Sequence, residues 1–272
     1  GHAVRAMYLY SGVADLVAEQ GDPQLYAALR RLWQSVTRRR MYITGGVGSS
    51  AVGERFSYDY DLPNDTAYAE TCAAIGLVLW AHRMLQIERR AEYGDVLERA
   101  LYNGVLSGVS LDGARFFYAN PLEVHPGDYA LRPYMRGWSS YRIERQPWFT
   151  CACCPPNVAR LIASLGGYLY SQAGREVAVH LYAASRATLA VDGVQVELTQ
   201  ETDYPWEGAI RLSIAPEQPV RLTLALRIPG WCHDAALRVN GQPTAMTLDH
   251  GYVRVERRWQ AGDVVELDLA MP

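Results

Sequence analysis

The stretch VARLIASLGGYLYSQAGREVAVHL, residues 158–181, contains a change of period that decides the fold class. In its first half, apolar residues recur at the three- and four-residue spacing of an amphipathic helix, from Val158 through Leu161 to Leu169. In its second half they recur at every second position, at Val177, Val179 and Leu181, as in a strand. The sequence therefore predicts helices before residue 173 and strands after it, with one domain in residues 1–172 and another in residues 173–272.

Helical stripes continue toward the N-terminus and, with the stripe at 158–169, predict about five long helices. The earlier stripes are Ala3-Met7-Tyr10-Ala14-Val17, Leu25-Leu29-Leu32-Val36, Ala74-Leu77-Val78-Ala81-Leu85 and Val96-Ala100-Leu101-Val105. Two long segments, 41–65 and 111–150, exceed the roughly 12–15 residues beyond which loops are unusual and often functional. Paired helices with long loops on one side indicate half of a barrel of helical hairpins, with a site formed by the loops.

The remaining residues, 173–272, contain eight or more short alternating runs that end at turn signals. The dipeptides Asp192-Gly193, Asn240-Gly241 and His250-Gly251 separate several of these runs, and such pairs favour tight hairpins. So many short strands in about 100 residues predict an antiparallel β-sandwich that resembles a jelly roll.

The composition is that of a globular protein and excludes several classes of function. The 272 residues are 49% hydrophobic with a net charge of −3, so charge favours neither nucleic acid nor an anionic membrane as a partner. All 26 basic residues are arginine, which excludes lysine-based chemistry. The longest apolar run, 72–81, is half of the ~20 residues that span a bilayer and predicts a core helix. Because the chain starts at Gly1-His2, we expect a piece of a longer protein.

Three of the five cysteines, Cys151, Cys153 and Cys154, fall within four residues. An odd number of cysteines in this arrangement is a poor disulfide framework and favours a metal or thiolate cluster in a reducing compartment, which we take to be the cytoplasm. Pro155 and Pro156 lead into a helix predicted to begin near Asn157, and a helix N-terminus stabilises a nearby thiolate. The alternative is that the cysteines are small buried hydrophobic residues.

Two glutamates lie in the other unusual segments. Glu70 and Cys72 are two positions apart, so on a regular helix their side chains would point about 200° apart. They can face one metal only if this segment is extended at the helix entrance, and together with a Cys-Cys pair they would offer four ligands suited to zinc. Alternatively, Glu70 is a first-turn glutamate favoured by the helix dipole. Glu54, in a Gly-rich loop beside Arg55, is either a general acid/base or a salt-bridged loop residue.

Five stretches together resemble the β-L-arabinofuranosidases of glycoside hydrolase family 127. They are residues 1–8 (GHAVRAMY), 44–56 (TGGVGSSAVGERF), 68–72 (YAETC), 118–122 (YANPL) and 153–157 (CCPPN). The combination of CCPPN with AETC is specific, whereas either alone is weak. The resemblance covers residues 1–172 by motif and the predicted β-sandwich by architecture only.

The resemblance implies a fold and a set of roles. Residues 1–172 would be the C-terminal half of an (α/α)6 catalytic barrel, followed by the β-sandwich, in an α+β multidomain chain. The enzyme would be a retaining glycosidase with zinc bound by one glutamate and three cysteines. The implied zinc ligands are Glu70, Cys72, Cys153 and Cys154. Cys153 would also be the nucleophile and Glu54 the acid/base, while His2 and Tyr118 would contact the sugar.

The implied substrate is an oligosaccharide or glycoconjugate that carries L-arabinofuranose at a non-reducing end. The alternatives are a related glycosidase for another sugar and a zinc-stabilised carbohydrate-binding protein without turnover. A homodimer is possible. An (α/α)6 barrel needs about twelve helices, so we expect this chain alone to be poorly active or inactive.

Aromatic residues could line a sugar pocket. Trp80, Trp138 and Trp148 are candidates, although Trp80 on its apolar helix more readily fits core packing. The remaining histidines show no metal-ligand spacing and are interpreted as structural or surface residues, with His125 on the long loop. Cys232 in the strand region is expected to be an inert thiol.

Overall fold

The computed structural model describes residues 1–125 and 141–271. The chain divides into two compact units: a helical unit of Gly1–Glu88 with Val96–Ala163, and a sheet unit of Arg89–Asp95 with Ser164–Pro272. Within the described ranges, no helix has both the length and the apolar character needed to cross a membrane. The architecture is a small set of helices followed by two largely antiparallel sheets.

The helices lie where the apolar stripes predict them. They are α1 (Ala3–Gln20), α2 (Pro23–Arg39), α3 (Thr71–Ile87), α4 (Ala91–Arg99), α5 (Cys154–Ser164) and the short α6 (Gly166–Leu169). After α4 the chain continues as a π-helical segment, Ala100–Val105, and a 3-10 turn, Leu106–Gly108. A glycine is needed where the 41–65 loop meets this segment, because a Cβ on Gly45 (φ 81°) would lie 2.7 Å from Ala100 Cα.

Helix α3 forms the core of the helical unit and packs against α1. Its residues are buried on most of its circumference, which confirms the core helix predicted from the apolar run at 72–81. Trp80 is fully buried, and its ring meets Trp33 of α2 edge-on at 4.9 Å. Core packing, the more conservative interpretation of Trp80, is therefore confirmed.

Helix α5 begins earlier than the sequence indicates. Its first residue is Cys154, not Asn157, so Pro155 and Pro156 lie inside the first turn. Proline is tolerated there because its missing N–H would have had no intrahelical partner. Cys153 immediately precedes the helix, and Cys154 is its first residue.

The sheet unit contains eleven strands in the described residues. They are β1 (Tyr170–Ala173), β2 (Glu176–Val179), β3 (Ser185–Val191), β4 (Val194–Thr202), β5 (Ala209–Pro216), β6 (Val220–Arg227), β7 (Ala235–Val239), β8 (Gln242–Pro243), β9 (Leu248–Asp249), β10 (Tyr252–Trp259) and β11 (Asp263–Leu269). One sheet has the order β1-β2-β6-β10-β9 and the other β3-β4-β5-β11-β7-β8. Strand β5 of the second sheet contacts β10 of the first.

The predicted turns are confirmed. Asp192, Asn240 and His250, each followed by glycine, have positive φ angles of 51°, 52° and 50°, as two-residue hairpins require. The pairing departs from a fully antiparallel arrangement at one place, where β2 and β6 run parallel. Between these two strands the chain forms β3, β4 and β5 of the other sheet, so no hairpin fixes their relative direction.

Candidate active site

The loop after α2 brings Glu54 into contact with the first residues of the chain. Glu54 has a left-handed backbone (φ 48°), and its carbonyl oxygen accepts a hydrogen bond from Ala3 N at 2.8 Å. Bridges pair Arg55 with both Ser50 and His2. As a result, the carboxyl group of Glu54 meets the His2 ring, with Oε2 lying 3.0 Å from Nε2.

The segment before α3 is extended, as it must be if Glu70 and Cys72 are to face one metal. Glu70 is the N-cap of the helix and has an extended backbone (φ −60°, ψ 136°). The preceding Ala69 has φ 39° and donates its N–H to Gly48 O at 2.8 Å. Because the regular helix starts only at Thr71, Glu70 and Cys72 can point toward the same place. Thr71 N in turn donates to Tyr118 O at 3.0 Å, which connects the long segment that contains Tyr118 to the start of α3.

Four potential metal ligands converge here from two distant parts of the chain. One ligand atom from each of Glu70, Cys72, Cys153 and Cys154 lies within 4.8 Å of all the others. Cys154 Sγ lies 3.6 Å from Cys72 Sγ and 3.7 Å from Cys153 Sγ. A tetrahedral zinc ion with Zn–S bonds of about 2.3 Å would separate its sulfur ligands by roughly 3.8 Å. The spacing of the thiols therefore fits a tetrahedral metal.

The chemistry of this cluster also fits a cation. Glu70 is 3% exposed, and within the described part of the chain its Oε2 has no hydrogen-bond partner. Burial, followed by the nearby charge of Cys153, raises the pKa of Glu70 to about 9. Hydrogen bonds from Cys154 and Cys72 hold the pKa of Cys153 far below its usual range. A buried carboxyl group beside three thiols is a donor set suited to a divalent cation such as zinc.

The Glu70 and cysteine cluster lies at one cavity of about 580 Å³. It is lined by His2, Val4, Arg5, Tyr8, Glu54, Glu70, Cys72, Tyr118, Cys151, Cys153, Pro156, Asn157 and Arg160. The Tyr118 hydroxyl lies 3.3 Å from Cys153 Sγ, and the Tyr118 ring packs 5.7 Å from Phe149. The structure thus brings together the seven residues to which the resemblance assigns roles: six line the cavity, and Sγ of the buried Cys154 lies 3.7 Å from that of Cys153.

Several residues at this site are not predicted individually from the sequence. Tyr8 of α1 donates to Asn157 Oδ1 at 2.9 Å, and Arg160 donates to the Tyr8 hydroxyl at 2.7 Å. Tyr68 donates to Glu54 Oε1 at 2.9 Å. Tyr8, Tyr68 and Asn157 all lie inside the stretches that carry the family resemblance, which is the signal that could have found them. Arg160 lies outside these stretches and has no such signal.

Other aromatic and histidine candidates lie elsewhere. Trp148 is 63% exposed and is not among the described residues that line the cavity, while Trp138 lies outside the described residues. His125 is exposed and lies 2.6 Å from Glu123. Cys232 lies 3.1 Å from Asp234 O in the sheet unit, and burial raises the pKa of its thiol.

Comparison with known proteins gives the same answer as the cluster. A family model described as the β-L-arabinofuranosidase GH127 catalytic domain matches residues 1–167, and one described as the GH127 middle domain matches residues 176–271. The chain belongs to the GH127 β-L-arabinofuranosidase family, which confirms the resemblance drawn from the sequence.

Individual relatives show how much of such a protein this chain represents. A non-reducing end β-L-arabinofuranosidase of Bifidobacterium longum is 43% identical over 279 residues. The crystal structure of Ara127N-Se, a GH127 β-L-arabinofuranosidase from Geobacillus stearothermophilus T6, matches at 53% identity with a TM-score of 0.96. The GH127 β-arabinofuranosidase BT3674 matches at 43% identity with a TM-score of 0.90. All of this chain is covered in each comparison, but only 41%, 42% and 43% of these relatives, respectively.

Proposed function

We propose that this chain forms part of a retaining glycoside hydrolase that releases L-arabinofuranose from the non-reducing ends of β-L-arabinofuranosides. The observation that carries the proposal is the joint placement of Cys153 and Glu54 on one cavity, with Cys153 inside a cluster of three thiols and Glu70. Retaining hydrolysis needs a nucleophile and a proton donor at the same sugar. Cys153 and Glu54 supply these two groups.

The first step transfers the sugar to sulfur. The Cys153 sulfur forms a bond to the anomeric carbon while the glycosidic C–O bond breaks and its electron pair goes to the leaving oxygen. Glu54 gives its proton to that oxygen. Tyr118 lies 3.3 Å from the sulfur, where its hydroxyl can orient both the nucleophile and the sugar.

The second step returns the enzyme to its starting state. Glu54 takes a proton from a water molecule, whose oxygen forms a bond to the anomeric carbon. The C–S bond breaks and its electron pair returns to Cys153, so the product keeps the configuration of the substrate. His2, 3.0 Å from Glu54 Oε2, lines the same cavity and is placed to contact sugar hydroxyl groups.

The metal that we propose for the cluster is zinc, held by Glu70, Cys72, Cys153 and Cys154. When bound, zinc supplies positive charge that keeps thiols ionised near neutral pH. This ligand set requires reduced cysteines, so the cytoplasmic location expected from the sequence stays part of the proposal. The homodimer expected from the sequence stays a prediction.

We also propose the domain assignment that the resemblance implies. Residues 1–172 would be the C-terminal half of an (α/α)6 catalytic barrel and residues 173–272 a β-sandwich domain. The family match over residues 1–167 and the coverage of about two fifths of each relative support a partial barrel. A half barrel lacks part of the wall of its substrate site, so this chain alone should turn over poorly.

The test is hydrolysis of an aryl β-L-arabinofuranoside by the protein expressed at its full natural length, together with its zinc content. We expect Cys153→Ser to lower kcat by about a thousandfold or more, because a serine hydroxyl is a much weaker nucleophile. Mass spectrometry of the wild type should find the sugar adduct on Cys153. The matched control, Cys232→Ser, removes a thiol from the sheet unit and should retain wild-type turnover.

Four outcomes would overturn the proposal. Wild-type activity of Cys153→Ser would exclude the thiol nucleophile, and an adduct on a carboxylate would assign the nucleophile to another residue. A zinc-loaded protein that binds arabinofuranosides but does not hydrolyse them would favour the carbohydrate-binding alternative. Faster hydrolysis of a different glycoside would point instead to a related glycosidase for that sugar.

A further inference from the structure

The buried Tyr68 contacts the Glu54 carboxyl group. Its hydroxyl donates to Glu54 Oε1 at 2.9 Å, while Tyr68 itself is only 1% exposed. Glu54 and His2 line the cavity, but Tyr68 is not among the described residues that do so. A buried residue outside the described lining of the cavity acts on a sugar through its neighbours, and Glu54 is the neighbour whose carboxyl group accepts the Tyr68 hydrogen bond.

The Tyr68 ring is held firmly enough to fix its hydroxyl. It packs against the Tyr118 ring at 6.2 Å and against the Tyr141 ring at 5.8 Å. Tyr141 is itself anchored, because its hydroxyl donates to Thr66 O at 2.8 Å. The backbone of Tyr68 is also fixed, since its carbonyl oxygen accepts from Asn120 N at 2.9 Å. A hydroxyl on such a rigid ring imposes its own position on a flexible carboxylate.

The two oxygens of Glu54 thus have different surroundings. Oε1 is held by the buried Tyr68, whereas Oε2 faces His2, which lines the cavity. A carboxyl group anchored through one oxygen presents the other to a ligand in a defined direction. General acid catalysis depends on this direction, because the proton must lie on the line to the leaving oxygen.

We propose that Tyr68 is a positioning residue for Glu54: its hydroxyl holds Oε1 so that Oε2 exchanges the catalytic proton. This inference rests on the proposed function. The short segment 68–72 then sets both parts of the chemistry, since Tyr68 reaches Glu54 while Glu70 Oε1 lies 3.5 Å from Cys153 Sγ. One rigid segment fixes the proton donor relative to the nucleophile.

The test is the leaving-group dependence of kcat/KM in Tyr68→Phe, which removes the hydroxyl and keeps the ring. A phenyl leaving group needs a proton as its bond breaks, whereas a 2,4-dinitrophenyl leaving group does not. We expect kcat/KM of the full-length protein to fall about ten- to a hundredfold for phenyl β-L-arabinofuranoside. For the dinitrophenyl substrate the fall should stay below about threefold. A merely structural role would lower both values equally.

Two further variants make the result specific. Tyr42→Phe removes another buried hydroxyl of the helical unit, one that donates to Pro63 O at 3.2 Å, and should lower neither value. In a Glu54→Gln background, Tyr68→Phe should have no further effect, because no proton donor remains to be positioned. Crystal structures of wild type and Tyr68→Phe should show that the Glu54 carboxyl group has turned.

The outcomes separate this inference from the function on which it rests. Equal losses on both substrates, no loss on either, or an unmoved Glu54 carboxyl group would overturn the role of Tyr68. If Glu54→Gln itself shows no leaving-group dependence, the acid/base assignment of Glu54 fails, whatever Tyr68→Phe does. If Tyr68→Phe alone lacks the dependence, the proposed function stands and only the positioning role fails.

Discussion

Two regions of the molecule bury ionisable side chains, and the regions differ in how those side chains are paired. In the sheet unit, the fully buried Arg227 donates to Asp95 Oδ1 and to His180 O, both at 2.6 Å. In the helical unit, Oε2 of the buried Glu70 has no hydrogen-bond partner among the described residues, and its Oε1 lies 3.5 Å from Cys153 Sγ. Asp95 neutralises the charge of Arg227, whereas burial raises the pKa of Glu70 and keeps that carboxyl group protonated.

The two regions differ in how their buried polar groups are paired within the described residues. His180 continues the paired network, since Tyr252 and Ser171 each lie 2.7 Å from one of its ring nitrogens. Buried polar groups that are fully satisfied stabilise one packing arrangement. The strongly raised pKa of the buried Glu70 is the kind of perturbation that clusters at functional sites, and it supports the metal site proposed above.

The largest effect expected from this contrast is on metal affinity. Cys154→Ser replaces a soft, fully buried sulfur of the cluster by a hydroxyl group. We expect the zinc dissociation constant to rise by about a thousandfold, equivalent to about 4 kcal/mol. Competition with a chromophoric chelator measures this value, and Cys232→Ser is the matched thiol control. Unchanged affinity in Cys154→Ser would remove Cys154 from the ligand set.

The second effect is on the stability of the sheet unit. Asp95→Ala leaves the Arg227 guanidinium buried without its carboxylate and also removes the acceptor of Gly230 N. Breaking such a pair should lower the free energy of unfolding by about 3 kcal/mol. Guanidinium chloride unfolding followed by circular dichroism measures this loss. Zinc content should not change, and a variant as stable as wild type would break the comparison.

A third variant, Glu70→Gln, should raise the free energy of unfolding instead of lowering it. The pKa of Glu70 is raised from 4.5 to about 9 by burial, so the metal-free folded chain retains a proton that the unfolded chain releases above pH 4.5. The contribution of Glu70 to stability is therefore present below pH 4.5 and is lost as the pH rises toward 9. Glu70→Gln removes this dependence and should stabilise the metal-free chain by on the order of 1 kcal/mol at pH 8.

Denaturant unfolding of the metal-free wild type and Glu70→Gln at pH 4 and pH 8 measures this difference. The two proteins should differ little at pH 4 and more at pH 8. A destabilised Glu70→Gln at pH 8 would mean that Glu70 is paired like Asp95, and the contrast between the two regions would disappear.

The smallest effect concerns an exposed ion pair. Arg221 and Glu256 lie 3.3 Å apart on adjacent strands, and their side chains are 69% and 62% exposed. Water screens such a pair, so Arg221→Ala should change the free energy of unfolding by less than about 0.5 kcal/mol. The same denaturant titration checks this value. A loss as large as that of Asp95→Ala would show that burial does not decide the strength of these pairs.

The sequence predicts elements well where one periodicity dominates. The apolar stripes locate α1, α2, α3 and α5, and the Asp-Gly, Asn-Gly and His-Gly turns locate hairpins. The π-helical segment after α4 is not predicted, because the apolar stripe at 96–105 has the same spacing as a regular helix. Parallel pairing of β2 with β6 is missed for a similar reason, since no local turn connects these strands.

The candidate site shows a comparable limit. Composition and spacing single out Glu54, Glu70 and the Cys151–Cys154 segment, because carboxylates and clustered thiols are residue types that bind metals or transfer protons. Tyr68 gives no such signal: its hydrogen bond to Glu54 depends on the left-handed backbone of Glu54 and Ala69, which neither residue type predicts. Roles that arise from backbone geometry are visible only in three dimensions.

The separation of Cys72 and Cys154 along the chain has a consequence for biosynthesis. The two sulfurs, 3.6 Å apart, belong to residues 82 positions apart. A nascent chain that ends before Cys153 carries only Glu70 and Cys72 of the four proposed ligands, so the proposed set is complete only once most of the helical unit has been made. A metal bound afterwards would close a long loop and restrict the unfolded chain much as a covalent cross-link does. Metal binding would therefore follow the synthesis of most of the helical unit and would stabilise that unit after it has folded.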